Sequence, residues 1–212
     1  MEDKNGKSSK QAILDAATEV FAEKGFDGAR VDEIARRAQV NKALIYYYFE
    51  SKDKILAELM VGLIREMIDL KDQLTKNQND LDLKQFFDST RIDDFIYQAF
   101  DFFKQHRLLL NIILSEALKG ATSKDVFFEM LGLSLKDGVG RIKQMNGEIN
   151  DFEEFSTIAV FFAFMPMLNF ISFGENWAEY NHLDYQVIEA KYYQTFKRLY
   201  RDYFLTAFFP KK

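Results

Sequence analysis

Between Asn41 and Lys52 the chain reads NKALIYYYFESK, which sets one amide, two ammonium groups and three phenols close together. Each of these groups donates hydrogen bonds, and none of them forms a nucleophile–base pair. What such a set can do is grip a partner rich in anionic acceptor oxygens. Just upstream, VDEIARRAQV (31–40) repeats Val31, Ile34, Ala35 and Ala38 at helical spacing over barely two turns. Gln39-Val40-Asn41 reads as a turn, and Asn41 is a residue type that caps the helix after it. Two short helices joined in this way suit a phosphate-lined groove; in a helix-turn-helix the second enters the major groove of DNA, its N-terminal residues towards base edges.

Asn41, Lys42, Ala43 and Leu44 occupy that N-terminal end, with Lys42 the candidate for guanine contact. Tyr46 and Tyr47 follow one turn on, where phenol hydroxyls reach phosphate oxygens. Tyr48 and Phe49 share a face with Ile45 and read as core. Arg36 and Arg37 read as a solvated charged face. Lys52 sits at the start of the next helix, where free backbone N–H groups attract an anion.

The elements that must hold this segment are helices throughout. Ser8 with Gln11 makes a capping box, Ile13, Ala17, Val20 and Phe21 continue as a stripe, and Gly25 is placed to stop that helix. Ser51 is a cap for a long helix striped by Ile55, Leu59, Leu63, Met67, Leu70 and Leu74. KNQNDLD (76–82) is a polar break. Helices follow over 86–104 and 108–119. Ser123 caps another to about Met145, and Asp151 one that kinks at Pro166 and ends near Gly174. The last runs from about Asp184 to Phe208, before Pro210. No stretch has the period of a strand. The expectation is an all-α chain of nine helices, three small and six long.

Bulk properties exclude several classes. There is no Cys, so no disulfide framework or thiolate metal site. No run reaches the ~18 uninterrupted apolar residues of a membrane span. The N-terminus lacks the apolar core of a secretory signal, so a cytoplasmic location without membrane contact is expected. Residues 1–56 hold ten Lys/Arg and ten Asp/Glu, so the whole net charge of −5 lies in the remainder. Affinity for nucleic acid depends on local basic groups and not on this total.

Ile13, Ala16, Phe21, Gly25 and Phe26, then VDEIARRAQV and LIYYYFESKDKIL, resemble the DNA-binding domain of the tetracycline-repressor (TetR) family over residues 9–56. The family string is close to IA-x-x-AGVS-x-GTLY-x-YF-x-SK-x-x-L. Ile34, Ala35, Ala38, Val40, Tyr46, Tyr48, Phe49, Ser51 and Lys52 match it. The resemblance implies an N-terminal three-helix helix-turn-helix DNA-binding domain (1–50). It also implies a C-terminal six-helix ligand-binding and dimerisation domain (51–212). It gives Tyr46 and Lys52 phosphate contacts, and the DNA-facing set becomes Arg30, Val31, Asn41, Lys42, Ala43, Leu44, Tyr46, Tyr47 and Lys52. Three departures stand out. Ala29-Arg30-Val31 replaces a hydroxyl cap, so Arg30 is free to meet a phosphate. Gln39 stands at the turn glycine, so that turn is expected not to need a positive φ. Ala43-Leu44 stands at Gly-Thr, making base readout more apolar, as against a thymine methyl.

The resemblance further implies an inducer pocket, a homodimer and repression of a palindromic operator in double-stranded DNA. The aromatic, Met-containing segment FFAFMPMLNFISF suits a small hydrophobic or aromatic effector. Candidate ligand residues are Phe100, Phe103, Asn111, Glu116, Phe128, Phe162, Met165, Asn169 and Phe173. A buried Glu116 or Glu129 would select a cation. Candidate dimer residues are Phe161, Met165, Val187, Ala190, Phe196, Leu199 and Tyr203. No cofactor, metal or catalytic residue is expected. Rival readings are a di-iron-like helical enzyme and a protein-interaction module without DNA binding. Glu179-x-x-His182 has the spacing of a di-iron ligand pair, but it occurs once.

Overall fold

In the computed structural model the described residues are 9–75, 85–86, 90–120 and 122–208, without the side chains of 75, 122–124, 126 and 202–208. Among them there are nine helices and no strand. Three form an N-terminal group: α1 (Ser9–Gly28) packs on α2 (Val31–Arg37) and α3 (Lys42–Tyr48). The others are α4 (Lys52–Thr75), α5 (Arg91–Gln105), α6 (Arg107–Lys119), α7 (Thr122–Gln144), α8 (Phe152–Tyr180) and α9 (Tyr185–Phe208). The expected features at Ser8, 76–82, Ser123, Tyr203 and Pro210 lie outside the described residues or side chains.

Local chemistry explains the boundaries. Gly25, at φ 71°, breaks α1 and lets Phe26 turn back onto Phe21, with ring centroids 5.2 Å apart. Asn41 Oδ1 accepts from the Leu44 N–H at 2.8 Å, and Asp151 Oδ1 from the Glu154 N–H at 2.8 Å, so α3 and α8 start on side-chain caps as expected. Arg30 precedes α2 with no side-chain cap. Gln39 corrects the sequence reading. It takes φ 56°, so the turn needs the left-handed conformation even though the glycine is absent.

The chain forms two compact units. The first holds residues 1–65 with 108–130, and buries Ile13, Phe21, Ile34, Ile45, Ile55 and Met60. The second holds 66–107 with 131–212. There α5 and α9 each pack on the C-terminal part of α8. A core of Phe86, Ile92, Ile96 and Ile142 is covered by Phe155, Tyr193 and Phe196. This division follows packing; the functional boundary expected at residue 50 remains a proposal.

α8 differs from expectation in two ways. It continues past Gly174 to Tyr180, and it opens into a π-helical stretch, Ile158–Phe164, ahead of Pro166. Proline has no N–H and its ring crowds the carbonyl four residues back, so a widened turn there relieves the conflict. Gly174 is required by close approach: a Cβ would lie 3.2 Å from the Phe170 ring and 3.3 Å from that of Tyr185 on α9. By length and composition α8 would also suffice to cross a membrane. Phe155 to Gly174 carries no charge, although polar residues interrupt it. Its stripe of Ala163, Met167, Leu168, Ile171, Gly174 and Ala178 is buried within the second unit.

Candidate nucleic-acid interface

The helix α3 is two-faced. Ile45 is sealed in the first unit, as is Phe49 just beyond, while Asn41, Lys42 and Ala43 are exposed. Tyr46 is 50% exposed and Tyr47 80%, unusual for phenol rings that had the option of burial. Tyr48 is half-buried and meets the Tyr47 ring edge-on at 5.2 Å. Leu44 and Val31 are half-buried, and Arg30 is exposed beside the start of α2. Eight of the nine residues expected to face DNA thus lie in α3, at its Asn41 cap or at the start of α2, with α3 supplying most of the outward donors.

Lys52 is the exception, and its expected phosphate role is corrected. Its ammonium donates to the carbonyls of Phe26, Asp27 (3.3 Å) and Ala29 (3.2 Å), and lies 4.4 Å from the centre of the Phe26 ring. Those carbonyls end the first helix, where backbone acceptors are left over and a cation is favoured. Lys52 therefore spends its donors tying α4 to the end of α1.

Most other cations here are also engaged. Arg37 forks onto Glu23 at 2.6 and 2.7 Å, which raises its pKa and lowers that of Glu23. Lys24 holds Glu33 at 2.6 Å, and Lys10 holds Glu58 at 2.7 Å. Lys42 pairs with Asp32 at 2.8 Å, and that hydrogen bond raises the Lys42 pKa. Arg30 and Arg36 form no ion pair among the described residues. Sequence reasoning missed Asp32, because nothing local distinguishes it from an ordinary acid in a first helical turn.

The expected ligand residues are divided between the two units. Asn111, Glu116 and Phe128 belong to the first unit, and Phe100, Phe103, Phe162, Met165, Asn169 and Phe173 to the second. Glu116 is 5% exposed but not available to a cationic ligand: Lys119 donates to it at 2.7 Å and to Asp27 at 2.8 Å. Glu129 is exposed. Phe100 and Phe103 are buried, the first against Phe170, Tyr192 and Tyr193, the second 5.4 Å from Phe164. Met165 and Asn111 are half-buried. Phe128, Phe162, Asn169 and Phe173 are exposed, which corrects their assignment to an interior pocket. The cause is helical phase. A one-residue error turns a side chain by about 100°, and the π stretch adds its own rotation ahead of Asn169 and Phe173.

Of the expected dimer residues, Phe161, Val187, Ala190 and Leu199 are exposed and Met165 is half-buried. Phe196 is half-buried and stacks between Tyr192 (5.8 Å) and Tyr200 (5.6 Å) within the second unit. Beyond the expected set, Trp177 and Tyr180 are exposed on α8 and line a shallow groove with Phe173, Asn176 and Glu179. Among the described residues no group of three or more His, Asp or Glu is placed to hold a metal. Glu179 and His182 do not share a helical face, because α8 ends at Tyr180 and His182 has φ 54°.

Residues 13–59, which include α2, α3 and the outward tyrosines, match the family model for bacterial regulatory proteins of the tetR family. Over these residues the chain carries a tetR-family domain. The chain is 30% identical over 117 residues to an HTH-type transcriptional repressor of Streptomyces coelicolor, covering 55% of this chain and 54% of the relative. It is 32% identical over 71 residues to the biofilm operon negative regulator IcaR of Staphylococcus epidermidis, covering 34% and 37%. The match thus spans about half the length of the first relative and less of the second. The fold extends further. The transcriptional regulator FadR of Bacillus subtilis, solved with stearoyl-CoA, superposes with a TM-score of 0.63 at 19% identity, over 89% of this chain and 96% of that one.

Proposed function

We propose that this TetR-family protein is a ligand-responsive transcriptional repressor. It binds a palindromic operator as a homodimer, in the cytoplasm, and releases it when a hydrophobic small molecule binds. The observation that carries this reading is the outward face of α3. Lys42, Ala43, Tyr46 and Tyr47 are exposed on a short capped helix whose other face is sealed. Lys42 and Asn41 suit base edges; Tyr46, Tyr47 and Arg30 suit phosphates. Repression is favoured because both relatives named above are described as repressors or negative regulators.

A dimer follows from the reader's size. One helix of this length reads few bases, and a two-fold pair reads two half-sites about 34–36 Å apart, or a multiple of that. The exposed residues Phe161, Phe162, Phe173, Trp177, Val187 and Leu199 on α8 and α9 supply a large apolar surface for that pairing. For the effector, the aromatic interior around Phe100, Phe103 and Met165 suits an apolar chain, and a fold relative holds stearoyl-CoA. α4 has residues in both units, so a ligand preferring one conformation of the second has a covalent route to the first.

The test is selection of bound duplexes from a random pool, then an electrophoretic shift on the selected site. A palindromic site bound by a dimer, and released by a long-chain acyl-CoA but not by free CoA, is the expected result. No enrichment of any sequence would refute the repressor reading. Release only by highly polar ligands would refute the hydrophobic effector alone.

A further inference from the structure

We infer that Asp32 is a specificity-determining residue, acting by withholding Lys42 from bare phosphate. This rests on the reading of α3 as a DNA reader. Asp32 stands in the first turn of α2, and its carboxylate reaches across the turn to the Lys42 ammonium at 2.8 Å. Both side chains are well exposed, 70% for Asp32 and 49% for Lys42, so this pair adds little to stability. Its position gives it another consequence. Lys42 is the first residue of α3, next to the Asn41 cap, at the end of the helix that meets base edges. Any DNA that approaches this end meets a carboxylate as well as an ammonium.

The charges around the pair sharpen the effect. The nearby cations Lys24, Arg37 and Lys52 are held by Glu33, Glu23 and the carbonyls at the end of α1. Lys42 is the one cation within α3, Arg30 and Arg36 lying outside it, and Asp32 is the partner Lys42 must leave to reach DNA. If Lys42 turns to a phosphate, Asp32 is left unpaired against a polyanion, so random DNA gains almost nothing. A matched site can keep both charges satisfied. Guanine offers O6 and N7 acceptors to Lys42, and its paired cytosine offers the N4 amino group to the carboxylate. The Asp32–Lys42 pair thereby favours a G·C base pair over sugar–phosphate contact.

The experiment measures binding of the full chain, as wild type and as D32N, to its selected operator and to random duplex over a salt series. A D32N/K42A variant is compared with K42A alone. Asparagine keeps the shape of Asp32, and thermal unfolding checks that each variant is folded. D32N should bind random duplex more tightly, with a salt slope steeper by about one ion and a gain of roughly eightfold near 0.1 M salt. The gain on operator should be smaller, so the operator-to-random ratio falls, and in the K42A background the effect should vanish. An unchanged ratio in D32N, or a gain that persists without Lys42, overturns the inference. Wild type that binds no operator at all would instead remove the DNA-reader reading on which it rests.

Discussion

At the scale of single residues, type alone does not say which donors are available. Tyr46 and Lys52 both match the family string, yet one faces out and the other is spent on carbonyls. Tyr46→Phe should therefore leave thermal stability unchanged and weaken operator binding roughly three- to tenfold, the worth of one phosphate hydrogen bond. Lys52→Met should do the reverse. It should cost about 1–2 kcal/mol in denaturant unfolding, since it strips partners from the end of α1. Its salt slope for DNA should stay that of wild type; a shallower slope would restore Lys52 as a phosphate ligand. Gln39 pays a conformational cost at φ 56°, and Gln39→Gly should stabilise by roughly 0.5–1 kcal/mol. That strain was not visible from sequence, where the missing glycine suggested a relaxed turn.

At the scale of elements, local signals served well where they were local. The caps at Asn41 and Asp151, the break at Gly25 and the stripe of α4 depend on neighbours within a turn or two. Packing across elements lay beyond them. Between α4 and α7, Lys71 and Arg141 converge on Asp137 at 3.1 and 2.9 Å, and Arg141 also reaches Asp72. Burial pushes the Asp137 carboxyl up, but the hydrogen bonds of Arg141 and Lys71 outweigh it and hold it below 3.8. A depressed carboxylate stabilises fully above its unfolded value. That stability is lost as pH falls through the lower folded value. Asp137→Asn should thus cost about 1–2 kcal/mol at neutral pH, and its deficit against wild type should shrink as pH drops below 3.8. A deficit independent of pH in acid titration of stability would show that the network owes nothing to the charge.

At the scale of the whole molecule, α8 and α9 expose several large apolar side chains among the described residues. Phe162 is 69% exposed and Trp177 60%, and solvent is a poor place for either. Phe162→Asp or Trp177→Asp should give a folded monomer in sedimentation at micromolar concentration. Operator affinity should then fall more than tenfold if the proposed dimer joins the two readers. A variant that stays dimeric with wild-type affinity would move the interface elsewhere. The pocket residues expected at Phe162 and Phe173 turned out to lie on this surface. Composition suggested an apolar purpose for the segment, and only its helical phase separated inside from outside.

Local sequence signals were enough to place most helices, the caps at Asn41, Ser51 and Asp151, and the outward character of α3. Those follow from periodicity and from hydrogen bonds within a few residues. Only the tertiary structure decided which cations remain free, because Lys52, Arg37 and Lys42 find partners ten or more residues away. It also decided which face of α8 is buried. There a π stretch before Pro166 turns the helix out of the period from which any face would be read.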